Sequence, residues 1–373
     1  MNLLIEKEII LKELTNVSRA LSSKNIIPVL NGIKFEVNSN GLYLTATDND
    51  ITIKTFIDKK EIKEIKEEGS IIINGKYLLE IIRKIPEKLI EIKETDGFKA
   101  VISTTNSKYD LNCFSLNDFP TIDLTEKDNF ISLQTDILKQ VINETSFATS
   151  TQESRPLLTG INIKIIDDNF ECIATDSYRL AKKILKLDKP CEEPVNIVIP
   201  SRNINELIKI FDDEISTVEL HLFKNKVLFK YKNVLFQSSL LNGSYPNTDT
   251  FIPTEFNIQL EVDLDTLYNV IDRASLLSQS KDKNIVVFEK TDNQIIITSS
   301  SIEIGKVEEK MSVNTIKGDN LKISFSARFM MEALKSFNSD KVVLLLNGEI
   351  KPIVIKETTD GTLTQLILPI KTY

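Results

Sequence analysis

Apolar residues recur with helical spacing in three segments of the chain, and the three segments are alike. In the first segment the apolar side chains stand at Leu11, Leu14, Val17 and Leu21, which fall on one face of an α-helix. The starts of the segments are evenly spaced, about 128 residues apart, so they align without gaps. The segments are Glu6 to Ser22, Gln134 to Ser150 and Val262 to Ser278. The pattern predicts the same amphipathic helix three times.

A second predicted helix follows in each repeat, again at an even spacing of about 126 residues. These helices start near Asn74, Pro200 and Ser326. A short run of β-branched and apolar residues, ending in a turn or capping residue, precedes each helix and predicts a strand. The predicted strands are Ile71 to Ile73, Val195 to Ile199 and Leu321 to Phe325.

Polar and apolar residues alternate elsewhere in each repeat, as in residues 41–57, 169–185 and 293–309. A period of two predicts strands with one buried face. A repeat of about 125 residues can bury its own core, unlike the roughly 20 to 45 residues of a solenoid unit. We therefore predict an α+β fold of three repeated domains, each with two helices and antiparallel sheets. The predicted domains are residues 1–124, 125–251 and 252–373.

The composition is ordinary for a globular protein, with 373 residues of which 41% are hydrophobic and 27% charged. No apolar run approaches the roughly 20 residues that cross a bilayer, and the first ten residues carry two acids and a lysine, which is atypical of a signal peptide. We therefore expect a cytoplasmic protein without membrane association. The cysteines, Cys113, Cys172 and Cys191, have no C-x-x-C spacing, which predicts buried free thiols and neither a disulfide framework nor a zinc site.

Residue types that carry catalysis are scarce in this sequence. His221 is the one histidine, and the alternation around it is that of a strand, which favours a structural role. The segment from Gly69 to Lys76 departs from a phosphate-binding loop in its glycine spacing and in having Tyr77 next. Asp48 and Asp50 could hold a metal ion, but the equivalent turn in the second repeat lacks the second acid, which favours turn capping. We predict no catalytic residue, no metal site and no cofactor.

Basic residues recur along the six predicted helices, although the net charge of the chain is -8. Any one of them is most simply a solvated side chain, but recurrence on equivalent helices favours a shared basic surface. Such a surface would meet nucleic-acid phosphates whatever the base sequence. Domains joined head to tail form an arc, and two arcs can close into a ring. The basic residues are Lys12, Arg19, Lys24, Lys76, Arg83, Lys84, Lys139, Arg202, Lys209, Arg273, Arg328 and Lys335.

Five short segments, ordered within the three repeats, resemble one protein family over the whole chain. The sequence resembles the bacterial DNA polymerase III beta subunits, the beta sliding clamps. The segments are Leu158 to Gly160, Ala174 to Leu180, Gly243 to Pro246, Phe325 to Met331 and Leu368 to Tyr373.

The resemblance implies a head-to-tail homodimer that forms a six-domain ring, with helices inside and sheets outside. It implies a non-catalytic processivity factor that encircles double-stranded DNA. It also implies partners that bind through short linear motifs: the DNA polymerase III alpha subunit, the clamp loader, other DNA polymerases, mismatch-repair proteins and ligase.

Site residues follow from the resemblance by position. It implies a partner-peptide pocket between the second and third domains, with apolar anchoring walls and orienting hydrogen bonds from Thr175 and Arg179. The tail that closes the pocket can also be a last buried strand. The pocket residues are Leu158, Thr175, Ser177, Tyr178, Arg179, Leu180, Pro246, Phe251, Phe329, Ile350, Pro352, Leu366, Ile367, Leu368, Pro369 and Ile370.

The resemblance also indicates which residues contact DNA and which contact the second subunit. Lys24, Gln152 and Arg202 would approach DNA by the resemblance, together with Lys12, Lys76 and Arg83 of the basic surface. The implied dimer contact places Tyr109 and Leu111 of one copy against Leu276 and Leu277 of the other.

Two departures and two rival interpretations accompany the resemblance. Tyr178 stands where relatives often have histidine, and Thr250 stands where some have a basic residue, which bears on peptide preference. One rival is a monomeric multidomain scaffold that binds proteins without encircling DNA. The other is an enzyme with a site around Asp176 and Arg179.

Overall fold

The structure is a computed structural model that describes residues 1–22, 26–95, 98–278, 284–291, 294–313, 315–358 and 361–371. Six α-helices lie within these ranges, two in each predicted repeat. They are α1 Lys7–Val17, α2 Gly75–Lys84, α3 Thr135–Thr145, α4 Ser201–Ile208, α5 Leu264–Ser275 and α6 Ala327–Leu334. The six helices predicted from the repeat are confirmed.

The strands make up most of the remaining regular structure, and every ladder between them is antiparallel in the described part of the chain. Their bounds are β1 Asn2–Glu6, β2 Gly32–Asn38, β3 Gly41–Thr47, β4 Ile51–Asp58, β5 Ile62–Glu67, β6 Gly69–Asn74, β7 Leu89–Thr95, β8 Lys99–Ser103, β9 Lys108–Phe114, β10 Ile131–Gln134, β11 Gly160–Ile166, β12 Asn169–Thr175, β13 Arg179–Lys186, β14 Val195–Pro200, β15 Thr217–Leu222, β16 Lys226–Tyr231, β17 Val234–Ser239, β18 Ile258–Asp263, β19 Ile285–Lys290, β20 Ile295–Ser301, β21 Gly305–Met311, β22 Thr315–Lys317, β23 Leu321–Ser326, β24 Lys341–Leu346, β25 Ile353–Glu357 and β26 Leu363–Ile367.

Local chemistry explains where several helices begin. The side chain of Asn74 accepts a hydrogen bond from the Tyr77 amide at the start of α2. At the start of α6, the side chain of Ser326 accepts a hydrogen bond from the Phe329 amide. Asp263 caps α5 through a bond of 2.7 Å from the Thr266 amide. The predicted strands before α2, α4 and α6 are confirmed as β6, β14 and β23.

The chain forms two compact units, and the first consists of residues 1–138 and 202–240. Its thirteen strands form one sheet in the order β10-β15-β16-β17-β4-β3-β2-β6-β9-β8-β7-β1-β5. Strand β17 continues the sheet at β4, with Val234 opposite Thr55. The apolar face of α1, which includes Ile10, Leu14 and Val17, is buried.

The second unit consists of residues 139–201 and 241–373. It holds a nine-stranded sheet in the order β14-β11-β12-β13-β26-β25-β24-β18-β22 and a four-stranded sheet in the order β21-β20-β19-β23. Strand β13 pairs with β26, which places Arg179 opposite Ile367. The apolar faces of α5 and α6 are buried in one core with both sheets.

The compact units do not coincide with the three predicted thirds of the chain. The middle third contributes β15, β16 and β17 to the sheet of the first unit, and β11 to β14 to the large sheet of the second unit. Edge-to-edge pairing, at β4 with β17 and at β13 with β26, therefore joins strands from neighbouring repeats. The fold class, α+β with antiparallel sheets, is confirmed.

The thiols and the histidine have different environments. Cys172 is a buried free thiol as predicted, and burial raises its pKa to about 12. The prediction is wrong for Cys113 and Cys191, which are only half-buried. Cys113 lies near the end of β9, and Cys191 lies in a loop. His221 is 1% exposed in β15, as a strand residue. In the described ranges, no helix is both long enough and apolar enough to span a membrane.

Candidate functional site

The candidate site begins at a turn that occurs twice in the chain, between β3 and β4 and between β12 and β13. Asp48 Oδ1 accepts hydrogen bonds from the amides of Asp50 and Ile51, which confirms the predicted turn capping. The next residue, Asn49, has a φ of 75°, and Ser177 in the second turn has a φ of 76°. Both turns therefore have the same backbone form, with one residue in the left-handed region.

In the second turn, Asp176 Oδ1 accepts the amides of Tyr178 and Arg179 at 2.9 and 3.0 Å. Thr175 Oγ1 donates to the carbonyl of Arg179 and accepts from the amide of Ser177. The polar atoms of Thr175 are thus engaged in holding the turn. Arg155 donates to Ser177 Oγ at 2.9 Å from outside the turn.

Arg179 is the buried centre of the candidate site. Its Nε donates to Asp176 Oδ2 at 3.0 Å, its Nη2 donates to the carbonyl of Phe147 at 2.6 Å, and its Nη1 pairs with Glu332. The guanidinium lies 4.4 Å from the centroid of the Phe329 ring. All three guanidinium nitrogens, which could otherwise orient a ligand, therefore already donate hydrogen bonds within the chain.

The last strand lies directly beside this turn. Leu180 and Leu366 face each other across β13 and β26 and share a buried cluster with Ile173 and Val354. The amide of Leu368 donates to the carbonyl of Tyr178 at 2.9 Å, which continues the pairing past the end of β26. The structure thus brings Tyr178 to Leu180 together with the tail, and it confirms the predicted last buried strand.

Large apolar side chains are exposed in the same unit. Four of the sixteen predicted pocket residues are exposed large hydrophobic residues: Tyr178, Phe251, Ile350 and Leu368. A contiguous patch of exposed large apolar side chains marks a partner-binding surface, whereas single exposed ones are ordinary. Pro246 is also exposed.

The other predicted pocket residues lie deeper. Leu158, Leu366 and Ile367 are buried, and Phe329, Pro352, Pro369 and Ile370 are half-buried. The amide of Ile370 donates to the carbonyl of Ser324 at 2.7 Å, which fixes the tail after Pro369. Within the described ranges, no hydrogen bond, ion pair or ring contact joins Leu158, Pro246, Phe251, Ile350 or Pro352 to Arg179.

Sequence reasoning missed Tyr245, whose hydroxyl accepts the amide of Thr175 at 3.1 Å. Burial raises the pKa of Tyr245 strongly, so the hydroxyl stays protonated. It also missed Phe147 and Glu332 as partners of Arg179, since no local pattern joins residues so far apart in the chain. The segment from Gly243 to Pro246, one of those that carry the family resemblance, was the available signal for Tyr245.

Five of the six predicted DNA-facing residues lie within the described ranges and are exposed, and two of them already have an acid partner. Arg202 Nη2 lies 2.8 Å from Asp48 Oδ2, and Arg83 lies 3.9 Å from Glu80. Lys12 and Lys76 are exposed on α1 and α2, which lie next to each other. Gln152 is exposed after α3, and Lys24 lies outside the described residues.

The predicted dimer residues lie at incompletely paired strands or beside them. In β9, Tyr109 and Leu111 pair with β8 on one side, and β9 meets β6 only through Cys113 and Phe114. In the second unit β21 is an edge strand. Leu276 is exposed at the end of α5, and Leu277 after it is half-buried.

Comparison with family models matches nearly the whole chain in three segments. Residues 1–123 match the N-terminal domain of the DNA polymerase III beta subunit, residues 132–247 match its central domain, and residues 249–371 match its C-terminal domain.

Individual relatives agree over their full length. The chain is 38% identical to the beta sliding clamp of Bacillus subtilis, with both chains covered completely. The solved structure of the Bacillus subtilis DNA polymerase sliding clamp superimposes with a TM-score of 0.95 at 37% identity, again over both whole chains. The DNA polymerase III beta chain of Streptococcus pneumoniae superimposes with a TM-score of 0.96 at 34% identity and the same coverage.

Proposed function

The chain belongs to the family of DNA polymerase III beta subunits, the beta sliding clamps, and from this premise we propose how it works. Two copies close into a ring around double-stranded DNA and tether replication proteins to it. The observation that carries the proposal is the match of three clamp domains, in order, over nearly the whole chain. The role is non-catalytic, and no cofactor enters it.

The surface around Arg179 is proposed to bind a short linear peptide of a partner protein. The exposed side chains of Tyr178 and Leu368 supply apolar area, and the buried pair of Leu180 and Leu366 supports them from below. Because Arg179 is held by Asp176, Phe147 and Glu332, it serves chiefly to keep the turn and α6 in place. A small surface with a few anchors gives weak binding, about micromolar.

The test of this surface is removal of its exposed anchors. Deleting residues 368–373 should abolish binding of a glutamine-containing clamp-binding peptide, measured by fluorescence anisotropy. Since that deletion also removes two backbone hydrogen bonds, Tyr178→Ser is the milder variant, and it should weaken binding at least about tenfold. Ile302→Ser, which removes an exposed apolar side chain remote in sequence, is the matched control. Equal affinity for Tyr178→Ser and the control would refute the assignment.

The ring is proposed to close through two incompletely paired strands, β9 of one copy and β21 of the other. Unpaired edges present N–H and C=O groups that a second chain can satisfy. Charges alternate on both strands, with Lys108 and Asp110 on β9 and with Lys306, Glu308 and Lys310 on β21. Tyr109 and Leu111 would then lie near Leu276 and Leu277 of the other copy.

The solution mass tests ring closure directly. A homodimer should run at about twice the 42.3 kDa chain mass, and a monomeric scaffold at the chain mass itself. Leu276→Asp places a charge at the proposed interface and should shift the protein toward monomer. A monomer in the unaltered protein at micromolar concentration would overturn the proposal.

DNA is proposed to be retained by enclosure more than by charge contact. Residues Lys12, Lys76, Arg83 and Arg202, with Lys24 and Gln152, would face the duplex, but Arg83 and Arg202 already have acid partners. Direct phosphate contacts weaken steeply with salt, with a slope of about -0.9 per phosphate neutralised. Enclosure depends on the dimer contact and much less on salt.

The decisive experiment compares circular and linear DNA at one salt concentration. A loader-assembled complex on nicked circular DNA should survive gel filtration at moderate salt and be lost once the circle is cut. Arg202→Gln should weaken direct contact or loading while leaving this difference in place. Equal loss from both DNA forms would indicate contact binding and refute enclosure.

The partners proposed for the peptide surface are those of the family. We propose the DNA polymerase III alpha subunit, the clamp loader, other DNA polymerases, mismatch-repair proteins and ligase, all acting in the cytoplasm. Competition among their peptides for one surface is the expected behaviour. Two partner peptides that bind one subunit together would contradict a single shared pocket.

A further inference from the structure

The segment between the first two matched domains, residues 124–131, lies against β15 and β16 within the first unit. We call it the connector. Lys230 Nζ on β16 donates to Glu126 Oε2 of the connector at 2.6 Å. The backbone N and O of Lys127 lie 3.1 and 3.0 Å from His221 Nδ1 on β15. The ring of Phe130 lies 5.3 Å from the imidazole, centroid to centroid.

One ring nitrogen of His221 is left without a hydrogen bond. His221 is 1% exposed, and its Nε2 is buried with no hydrogen-bond partner. The atom faces Glu219 Oε2 at 3.5 Å, and ligand atoms of Glu126, Glu219 and His221 all lie within 4.8 Å of one another. In the described part of the chain this is the one group of histidine, cysteine and acidic side chains so arranged. We propose that these three residues bind a divalent transition-metal ion of the zinc class.

The chemistry of the three ligands fits such an ion. His221 Nδ1 lies 3.1 Å from the Lys127 amide, which donates to it in one tautomer, and 3.0 Å from the Lys127 carbonyl, to which Nδ1–H donates in the other. A metal ion selects the second tautomer, in which Nε2 carries the free electron pair, the usual arrangement of a metal-binding imidazole. Zinc bonds of about 2.0–2.2 Å place tetrahedral ligand atoms roughly 3.4 Å apart. The 3.5 Å between Nε2 and Glu219 Oε2 already meets this spacing. Glu126 is exposed, so a change of its rotamer can bring its carboxylate oxygen to the same spacing from the other two ligand atoms.

A protein cation competes for the same carboxylates. Lys230 Nζ lies 2.6 Å from Glu126 Oε2 and 3.8 Å from Glu219 Oε2. The hydrogen bond to Glu126 raises the pKa of Lys230, so the ammonium is present at neutral pH. Metal binding must therefore displace Lys230. The nitrogen ligand selects against magnesium and calcium, which prefer all-oxygen sites.

The bound ion would fasten the connector to the sheet. Glu126 comes from the connector, whereas Glu219 and His221 stand two residues apart on β15 and point to one face. Binding of the ion to the folded form stabilises it by mass action. Cleavage by trypsin after the exposed Lys127 should accordingly slow when zinc is present.

The single histidine permits a direct test on the full chain, purified without a histidine tag. Protein labelled with ¹⁵N only at histidine gives one imidazole spectrum, which reports the tautomer and any bound metal. Zinc chloride titrated at neutral pH should shift the Nε2 resonance and leave Nδ1 as the protonated nitrogen. A Cys191→Ser background removes the accessible loop thiol as a competing ligand.

Calorimetric titration with zinc then compares matched variants. Glu126→Gln, at an exposed position, should weaken binding at least about tenfold, and Lys230→Met should tighten it by about tenfold. Glu214→Gln, which alters another exposed acid paired with a lysine, should bind as the unaltered protein does. An unmoved Nε2 resonance at saturating zinc, a doubly protonated imidazole at neutral pH, or equal affinity for Glu126→Gln would each overturn the proposal.

Discussion

Replacement of Arg179 by methionine should destabilise the second unit far more than the same replacement of Arg328. Both arginines pair with Glu332, and both lie over the Phe329 ring. Their exposure differs, because the side chain of Arg179 is 8% exposed and that of Arg328 is 63% exposed. The two substitutions therefore compare a buried and a solvated arginine that share two partners.

The magnitude follows from the groups that Arg179 leaves behind. Asp176 is 12% exposed and would lose a charged partner, at a cost in unfolding free energy of about 1.5–3 kcal/mol. Glu332 is 37% exposed, so solvent screening limits the cost of losing its ion pair with Arg179 to about 1 kcal/mol or less. Loss of the hydrogen bond from Arg179 to the Phe147 carbonyl adds about 1 kcal/mol to that cost. We expect about 2.5–5 kcal/mol for Arg179→Met and within about 0.5 kcal/mol for Arg328→Met.

Urea denaturation followed by far-UV circular dichroism measures the unfolding free energy, since the chain has no tryptophan. Hydrogen exchange of the β26 amides assigns the loss to the second unit. Asp176→Asn removes the charge that pairs with Arg179 but keeps the turn, because an asparagine Oδ1 can still accept the two amide hydrogen bonds. It should cost less than Arg179→Met. Similar costs for Arg179→Met and Arg328→Met would refute the account of a buried, fully engaged guanidinium.

Three further outcomes are expected. Hydrogen bonds from the side chain and then the amide of Thr266 lower the pKa of Asp263, so Asp263→Ala should cost about 1 kcal/mol of unfolding free energy. That cost should be present above the ordinary pKa of about 3.9 and vanish in acid denaturation series as pH falls through the lowered folded value. Gly160→Ala should lower the melting temperature, because its Cβ would lie 2.8 Å from a backbone oxygen, whereas Gly361→Ala meets open space. Cys172 should resist Ellman's reagent in the native protein until denaturant exposes it, since burial raises its pKa to about 12.

The helices and turns could be predicted because their causes are local. An apolar stripe and a capping side chain a few residues away suffice for α2 or α6, and Asp176 caps amides only two and three positions on. The partners of Arg179 could not be predicted in the same way. Phe147 lies 32 residues before it and Glu332 lies 153 residues after it. No periodicity connects positions so distant in the chain.

Strand existence followed from the alternating pattern, but strand partners did not. The residues of β4 and β17 carry the same kind of pattern as any strand with one buried face, so nothing in it selects β17 as the neighbour of β4. The environment of Cys113 depends on the same kind of non-local fact, since its neighbour across the sheet is Ile73 of β6, 40 residues earlier in the chain. The sequence predicted a buried thiol at this position, but in the folded sheet the thiol is only half-buried.

The sheets that continue from one repeat into the next have a consequence for how the chain can be dissected. A fragment ending at residue 124 would keep β4 but lose β17, and a fragment starting at residue 252 would keep β26 but lose β13. Each cut would leave an unpaired strand edge, which is a template for aggregation. Expression of single thirds should therefore give inclusion bodies or strand-exchanged oligomers. Fragments that keep each edge beside its native neighbour should stay dispersed.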